Sequence, residues 1–122
     1  MNVPGASFVY QEGYITYSND AKERILRVSP DTLNQYGAVS KETAYEMAVG
    51  AAQAAGADAA LSVTGIAGPD GGTKEKPVGL VYIGCFVNGK VRVKEYRFTG
   101  NRNKNRDYAV VNALTLLREE LI

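Results

Sequence analysis

The feature that most constrains the fold of this 122-residue chain is an Asn88-Gly89 pair set between two apolar runs. The runs cover residues 79–87 and 90–98 and are rich in β-branched and aromatic residues, which favour strands. A two-residue Asn-Gly connection is typical of a type I′ turn, so the pattern predicts an antiparallel hairpin. The apolar alternation of the second run changes phase between Val93 and Tyr96, which indicates a β-bulge or an edge strand.

Helix start and stop signals surround most of the other apolar patterns. Ser18 or Asn19 can cap a short helix through Arg27, and Ser29-Pro30 opens a second helix that stops at Gly37. A longer helix is predicted from Ser40 to Gly56. A last helix is predicted to begin between residues 103 and 106. We expect its core stripe to consist of Val110, Ala113, Leu114, Leu117 and Leu121.

Two further strands complete the predicted fold. Residues 8–17 read as a strand with a break at Gly13, and residues 59–63 read as a buried strand. The order of strand, helices, strand, hairpin and helix predicts the α/β class, as a three-layer α/β/α domain whose mixed sheet includes the antiparallel hairpin. A length of 122 residues predicts a single domain over 1–122.

Composition excludes several kinds of chemistry. The chain has no histidine, which removes Ser-His-Asp triads, histidine general bases and histidine metal sites. Its single cysteine, Cys85, cannot form an internal disulfide, and its apolar surroundings predict a buried core residue in a reducing compartment. The carboxylates Asp58, Asp70 and Glu75 are too scattered to suggest a metal cage, so we expect no metal, and we also expect no cofactor.

Charge and hydropathy limit the partners. Fourteen Lys and Arg residues nearly balance thirteen Asp and Glu residues, so we expect no nucleic-acid partner. Neither a membrane-length apolar stretch nor a signal-peptide pattern occurs in the sequence. We therefore expect a cytoplasmic protein without membrane contact.

The glycine-rich segment from Thr64 to Pro77 is the first candidate binding site. Backbone N–H groups of such a loop after a strand can approach an anion closely. Its glycines do not match the G-x-G-x-x-G spacing of dinucleotide-binding loops, and a strand rather than a helix follows. A flexible connection without a binding role is the alternative interpretation.

Two groups of polar side chains are further candidates. Tyr17 and Lys22 are predicted to lie near one rim of the sheet, where a buried lysine with a lowered pKa could act as a base. Arg102, Lys104 and Arg106 surround the start of the last helix and could bind a phosphate. The alternative for each group is a solvated surface charge.

Several stretches, in chain order, resemble the C-terminal domain of the competence/damage-inducible CinA proteins, a family that includes bacterial nicotinamide-nucleotide amidohydrolases. They cover nearly the whole chain. The matching stretches are Val3-Pro-Gly-Ala-Ser7, Tyr17-Ser-Asn-Asp-Ala-Lys22, Gly37-Ala-Val-Ser40, Val63-Thr-Gly-Ile-Ala-Gly-Pro-Asp-Gly-Gly72, Glu75-Lys-Pro-Val-Gly79, and Phe98-Thr-Gly-Asn-Arg102 with Arg106.

The resemblance implies a three-layer domain that hydrolyses the carboxamide of nicotinamide mononucleotide, giving nicotinate mononucleotide and ammonia. The family's nucleophile is a serine in a Glu-Ser-x-Thr-Gly-Gly motif, and Tyr17 and Lys22 match the positions that assist it. A small-molecule nucleotide would then be the ligand. We expect the following residues to bind it: Thr64, Gly65, Ile66, Ala67, Gly68, Arg102 and Arg106.

The nucleophile motif does not occur in these 122 residues, since Ser62-Val-Thr-Gly65 belongs to the glycine-loop motif. Compared with the family, we expect the chain to begin after the first strand and helix, so that the isolated domain is N-terminally incomplete and inactive. The apolar surface left uncovered predicts a homo-oligomer. A non-catalytic nucleotide-binding or partner-interaction module is the alternative function.

Overall fold

The computed structural model describes residues 10–122. The elements follow in the order α1 (Asn19–Leu26), α2 (Pro30–Tyr36), α3 (Lys41–Ala55), β1 (Ala59–Gly65), β2 (Leu80–Val87), β3 (Lys90–Arg97) and α4 (Arg102–Leu121). The four predicted helices and the predicted hairpin are present, so the local signals of the sequence located these elements to within a few residues.

Side-chain caps explain where the helices begin. The Ser18 Oγ accepts a hydrogen bond from the Ala21 N–H at 3.1 Å, and the Ser40 Oγ accepts one from the Thr43 N–H at 3.1 Å. The Asn101 Oδ1 does the same for α4. Pro30 occupies the first turn of α2, where its missing N–H needs no partner. Each cap satisfies a donor that the helix itself leaves unpaired.

The sheet has the strand order β1-β2-β3. Asn88 and Gly89 both have positive φ, 47° and 86°, as the predicted hairpin turn requires. The β2–β3 register is continuous from Leu80 opposite Arg97 to Val87 opposite Lys90. The phase change in β3 therefore reflects its position at the sheet edge rather than a bulge.

Helices cover both faces of the sheet, which confirms the α/β class and the three layers. One face of β2 packs its side chains at Val81, Ile83 and Cys85 against α4. On the opposite face a Cβ at Gly84 would lie 2.7 Å from the Ala44 carbonyl oxygen, so α3 approaches the strand directly over this glycine. Cys85 is buried as predicted, and burial raises the pKa of its thiol.

Two predictions about the sheet are wrong for the described residues. Both strand pairs are antiparallel, so the sheet of residues 10–122 is not mixed. Residues 10–17 form no strand, because no described strand pairs with them, while Phe8 and Val9 lie outside the described residues. In addition, β1 is an edge strand and not a fully buried one, since Val63 is 44% exposed.

The predicted core stripe of α4 is also largely wrong. Val110, Leu114 and Leu121 are more than half exposed, although Ala113 is buried and Leu117 partly so. The side of α4 that faces the sheet instead carries Asn105, Ala109, Ala113 and Leu116. Small alanines allow the helix to lie close to β2, and this leaves the larger apolar residues outside. No helix in residues 10–122 is long and apolar enough to cross a membrane.

Candidate substrate site

A groove with a volume of about 660 Å³ runs along the edge of β1 that pairs with no strand of the described residues. The unpaired segment 10–17 forms one wall, and residues 59–63 of β1 form the other. Met47 and Ala51 of α3 line it from one layer, and Leu114 and Leu117 of α4 line it from the opposite layer. The middle layer of the domain is thus open between two helices.

Lys22 is the buried cation of this groove. Its position in the first turn of α1, which the Ser18 cap sets, leaves the residue only 8% exposed. The Nζ donates a hydrogen bond to the Thr16 carbonyl oxygen at 2.8 Å, and Lys22 forms no ion pair with any carboxylate of the described residues. Burial lowers the pKa of Lys22. An amine in this setting is easier to deprotonate than a surface lysine.

Tyr17 lies in the lining of the same groove but has a different environment. Its side chain is 85% exposed, and its hydroxyl makes no hydrogen bond with the described residues. The structure therefore brings Tyr17 and Lys22 to one groove, with the phenol at the solvent side and the amine at the protein side.

Thr64 and Gly65 end β1 and have structural duties there. The Thr64 Oγ1 donates to the Ala38 carbonyl oxygen at 2.6 Å, so this hydroxyl is committed to the loop before α3. A Cβ at Gly65 would lie 2.8 Å from the Leu80 carbonyl oxygen, which makes glycine necessary for the close approach of β2. The Thr64 hydroxyl is thus already committed to a protein partner, and Gly65 has no side chain with which to recognise a ligand.

The carbonyl oxygens of the next three residues, 66–68, all accept hydrogen bonds from other parts of the domain. The Ile66 carbonyl oxygen accepts from the Gly79 N–H at 2.7 Å. The Ala67 carbonyl oxygen accepts from the Asn105 Nδ2 at 3.0 Å, and that of Gly68 accepts from the Arg102 Nη1 at 2.9 Å. In residues 10–122, no carbonyl or side chain accepts a hydrogen bond from the N–H of Ala67 or of Gly68. Neither N–H group is therefore committed to a partner among the described residues, where Ala67 is half-buried and Gly68 is buried.

The basic residues at the start of α4 have separate positions. Arg102 contacts the glycine-rich loop through one guanidinium nitrogen, whereas Lys104 and Arg106 are exposed. Asn105, which sequence reasoning did not single out, is 1% exposed and connects α4 to the loop. In the sequence, Asn105 precedes Ala109 and Ala113 at four-residue intervals, and this spacing indicates that the three residues share one face of the helix.

The candidate residues divide into two neighbouring groups. Tyr17 and Lys22 line the groove, which follows β1 as far as Val63. The residues from Thr64 to Gly68, with Arg102 and Arg106, lie beyond that point and do not line it. Within residues 10–122 there is no cluster of three side chains suited to holding a metal ion. The layered fold, the buried lysine and the loop at the end of β1 define an α/β/α domain with a candidate ligand site along an edge strand.

Comparison with known proteins identifies the family. Residues 1–121 match the CinA C-terminal domain family, and the chain belongs to it. It is 56% identical over 122 residues to a CinA-like protein of Kosmotoga olearia. The match includes 30% of the length of that protein. The whole of this chain is included in that match, so the relative is more than three times as long.

Solved structures give the same result. The competence/damage inducible protein CihA from Agrobacterium tumefaciens superposes with a TM-score of 0.94 and is 44% identical, over 96% of this chain and 72% of that one. A competence or damage-inducible protein from Enterobacter asburiae superposes with a TM-score of 0.94 and is 32% identical, over 98% of this chain and 76% of that one. About a quarter of each solved chain thus lies outside the match.

Proposed function

We propose that this chain supplies the base and the binding surface of an amidohydrolase that converts nicotinamide mononucleotide to nicotinate mononucleotide and ammonia. The observation that carries the proposal is Lys22, a buried amine with a lowered pKa, one carbonyl partner and no carboxylate of the described residues beside it. Enzymes tune lysines toward neutral pKa values in this way when they use them as bases.

The nucleophile would come from outside these residues, because the Glu-Ser-x-Thr-Gly-Gly motif is absent from the sequence. The open groove supports this arrangement. An extended segment placed along β1 could pair with its free edge and would be covered by Leu114 and Leu117 on one side. A serine on such a segment would lie in the groove that Lys22 lines.

The reaction then follows from the groups present. Neutral Lys22 accepts the proton of the serine hydroxyl as its oxygen attacks the carboxamide carbon. The resulting tetrahedral intermediate collapses when Lys22 returns the proton to the leaving nitrogen, which releases ammonia and an acyl-serine. Water, deprotonated by Lys22, hydrolyses this ester to the nicotinate product and restores the serine. Tyr17, at the exposed side of the groove, assists as a hydrogen-bond donor.

The glycine-rich loop would hold the rest of the nucleotide. The N–H groups of Ala67 and Gly68 have no acceptor among the described residues, and Arg102 and Arg106 add positive charge at the start of α4, where Arg102 contacts this loop. Backbone donors and guanidinium groups together suit a phosphate monoester.

The test is ammonia release from nicotinamide mononucleotide, measured with the 122-residue chain and with an N-terminally extended form that contains a Glu-Ser-x-Thr-Gly-Gly segment. We expect turnover only in the extended form. There, Lys22→Met should lower kcat by about 10²–10⁴-fold, while Lys41→Met, at an exposed position of α3, should leave it unchanged.

Each outcome has a clear meaning. Robust turnover by the short chain would show that the nucleophile lies within it. Normal turnover by Lys22→Met would remove Lys22 from the mechanism. Binding of the nucleotide without turnover in either form would support the alternative of a non-catalytic binding module.

A further inference from the structure

We infer that Asn105 is a positioning residue that holds the glycine-rich loop after β1 in the conformation in which it would bind a ligand. The inference rests on the proposed function in one respect, namely that this loop binds the nucleotide. Asn105 itself does not need to contact the substrate.

The Asn105 side chain connects two loops through the two ends of one amide. Its Oδ1 accepts a hydrogen bond from the Gly100 N–H at 3.0 Å, and its Nδ2 donates one to the Ala67 carbonyl oxygen at 3.0 Å. Its own N–H donates to the Asn101 carbonyl oxygen at 2.8 Å, which fixes the residue in the first turn of α4. The glycine-rich loop is thereby tied to a helix whose buried face packs on the sheet.

These two hydrogen bonds require an amide at this position. A carboxylate could still accept from Gly100, but it would place negative charge against the Ala67 carbonyl oxygen. A leucine of similar size would leave both backbone groups without partners. Asn105 is 1% exposed, so water cannot easily replace a lost hydrogen bond.

Arg102 contributes less to this attachment. It reaches the next carbonyl oxygen, that of Gly68, but Arg102 is exposed, so water can substitute for its hydrogen bond. The loss of Asn105 should therefore disturb the loop more than the loss of Arg102. A disturbed loop would weaken binding of the nucleotide and leave Lys22, which lines the separate groove, unaffected.

The chain offers a matched control on the same helix. Asn112 is also a helical asparagine, but its Nδ2 donates to the Tyr108 carbonyl oxygen within α4 and does not contact the loop. Asn105→Asp and Asn112→Asp introduce the same charge at the two positions. Asn105→Leu tests the loss of both hydrogen bonds without a charge.

The first experiment is hydrogen–deuterium exchange of the 122-residue chain. The Ile66 and Gly79 N–H groups are hydrogen bonded inside the loop region and report on its order. We expect both to exchange at least tenfold faster in Asn105→Asp and Asn105→Leu and at the wild-type rate in Asn112→Asp, with β2 amides beyond the loop unchanged. Unchanged loop exchange, or equal acceleration throughout the sheet, would overturn the inference.

The second experiment measures kinetics in the extended form with nicotinamide mononucleotide. Asn105→Asp should raise KM about tenfold and change kcat less than threefold, whereas Asn112→Asp should match the wild type. A fall in kcat with an unchanged KM would contradict the positioning role. If no form binds the nucleotide, the proposed function fails, and the exchange experiment still decides whether Asn105 orders the loop.

Discussion

The Lys22 Nζ lies 2.8 Å from the Thr16 carbonyl oxygen, and this hydrogen bond joins the first turn of α1 to the unpaired segment before it. The contact holds the amine at the protein side of the groove, where Lys22 is 8% exposed and forms no ion pair with a described carboxylate. The same nitrogen is therefore both a structural contact and the base that we propose for the reaction.

The first prediction concerns the pH dependence of folding. The pKa of Lys22 is lowered by burial in the folded state, from an ordinary value of 10.5, so the unfolded chain binds more protons between the folded-state pKa and 10.5. The contribution of Lys22 to the free energy of unfolding should therefore rise as pH rises through that window. Urea unfolding of the wild type and of Lys22→Met between pH 7.5 and 10 measures it.

The difference between these two proteins isolates Lys22 from other groups that titrate in the same range. Lys41→Met provides the control, because Lys41 is exposed, lies outside the groove and carries the same charge as Lys22. A difference between wild type and Lys22→Met that is constant over the whole range would show that the pKa of Lys22 is not lowered.

The second prediction concerns the Thr64 hydroxyl, which donates to the Ala38 carbonyl oxygen at 2.6 Å. Thr64→Val should lower the free energy of unfolding by about 1–3 kcal/mol, because a part-buried carbonyl loses its partner. Thr115→Val is the matched control, since the Thr115 hydroxyl bonds to an exposed turn of α4, and its effect should stay within about 0.5 kcal/mol. Equal effects in chemical denaturation would contradict the structural role of Thr64.

The third prediction tests which face of α4 is the core. Leu116 is 1% exposed and Leu114 is 57% exposed. Leu116→Ala should cost about 2–5 kcal/mol, because it leaves a cavity against β2, whereas Leu114→Ala should cost less than about 1 kcal/mol. Urea denaturation of the two variants gives the comparison. The reverse order would restore the stripe that the sequence pattern predicts.

The fourth prediction concerns Gly50 in the middle of α3. An ideally placed Cβ there would lie 1.8 Å from the Leu26 carbonyl oxygen, at the contact between α1 and α3. Gly50→Ala should destabilise the domain by about 1–3 kcal/mol even though alanine favours a helix by about 1 kcal/mol. Gln53→Ala, at an exposed position of the same helix, should change the melting temperature little. A stabilised Gly50→Ala variant would show that α1 does not pack this closely.

Local signals located most of the elements from the sequence. Serine and proline at helix starts, glycine after helices and Asn88-Gly89 between apolar runs each act over a few residues, so they can be read along the chain. The segment 10–17 was predicted wrongly, because its aromatic and β-branched residues favour a strand that still needs a neighbour for its hydrogen bonds.

The candidate site was predictable to a smaller extent. The motifs pointed to Lys22, to the loop after β1 and to Arg102, but they could not show that Lys22 is buried without an acidic partner of the described residues. Asn105 was missed, since its partners lie in loops that come together only when α4 packs on the sheet.

The sequence by itself determined the α/β class, the helix boundaries, the hairpin and the chemistry that an absence of histidine excludes. Only the tertiary structure decided which face of α4 meets the sheet, because that helix carries apolar residues on more than one side and the closest packing selects the side with alanines. It also decided that, among the described residues, the β1 edge along the Lys22 groove has no strand partner. Burial and strand pairing depend on contacts between residues that are far apart in the chain, so local patterns in the sequence do not reveal them.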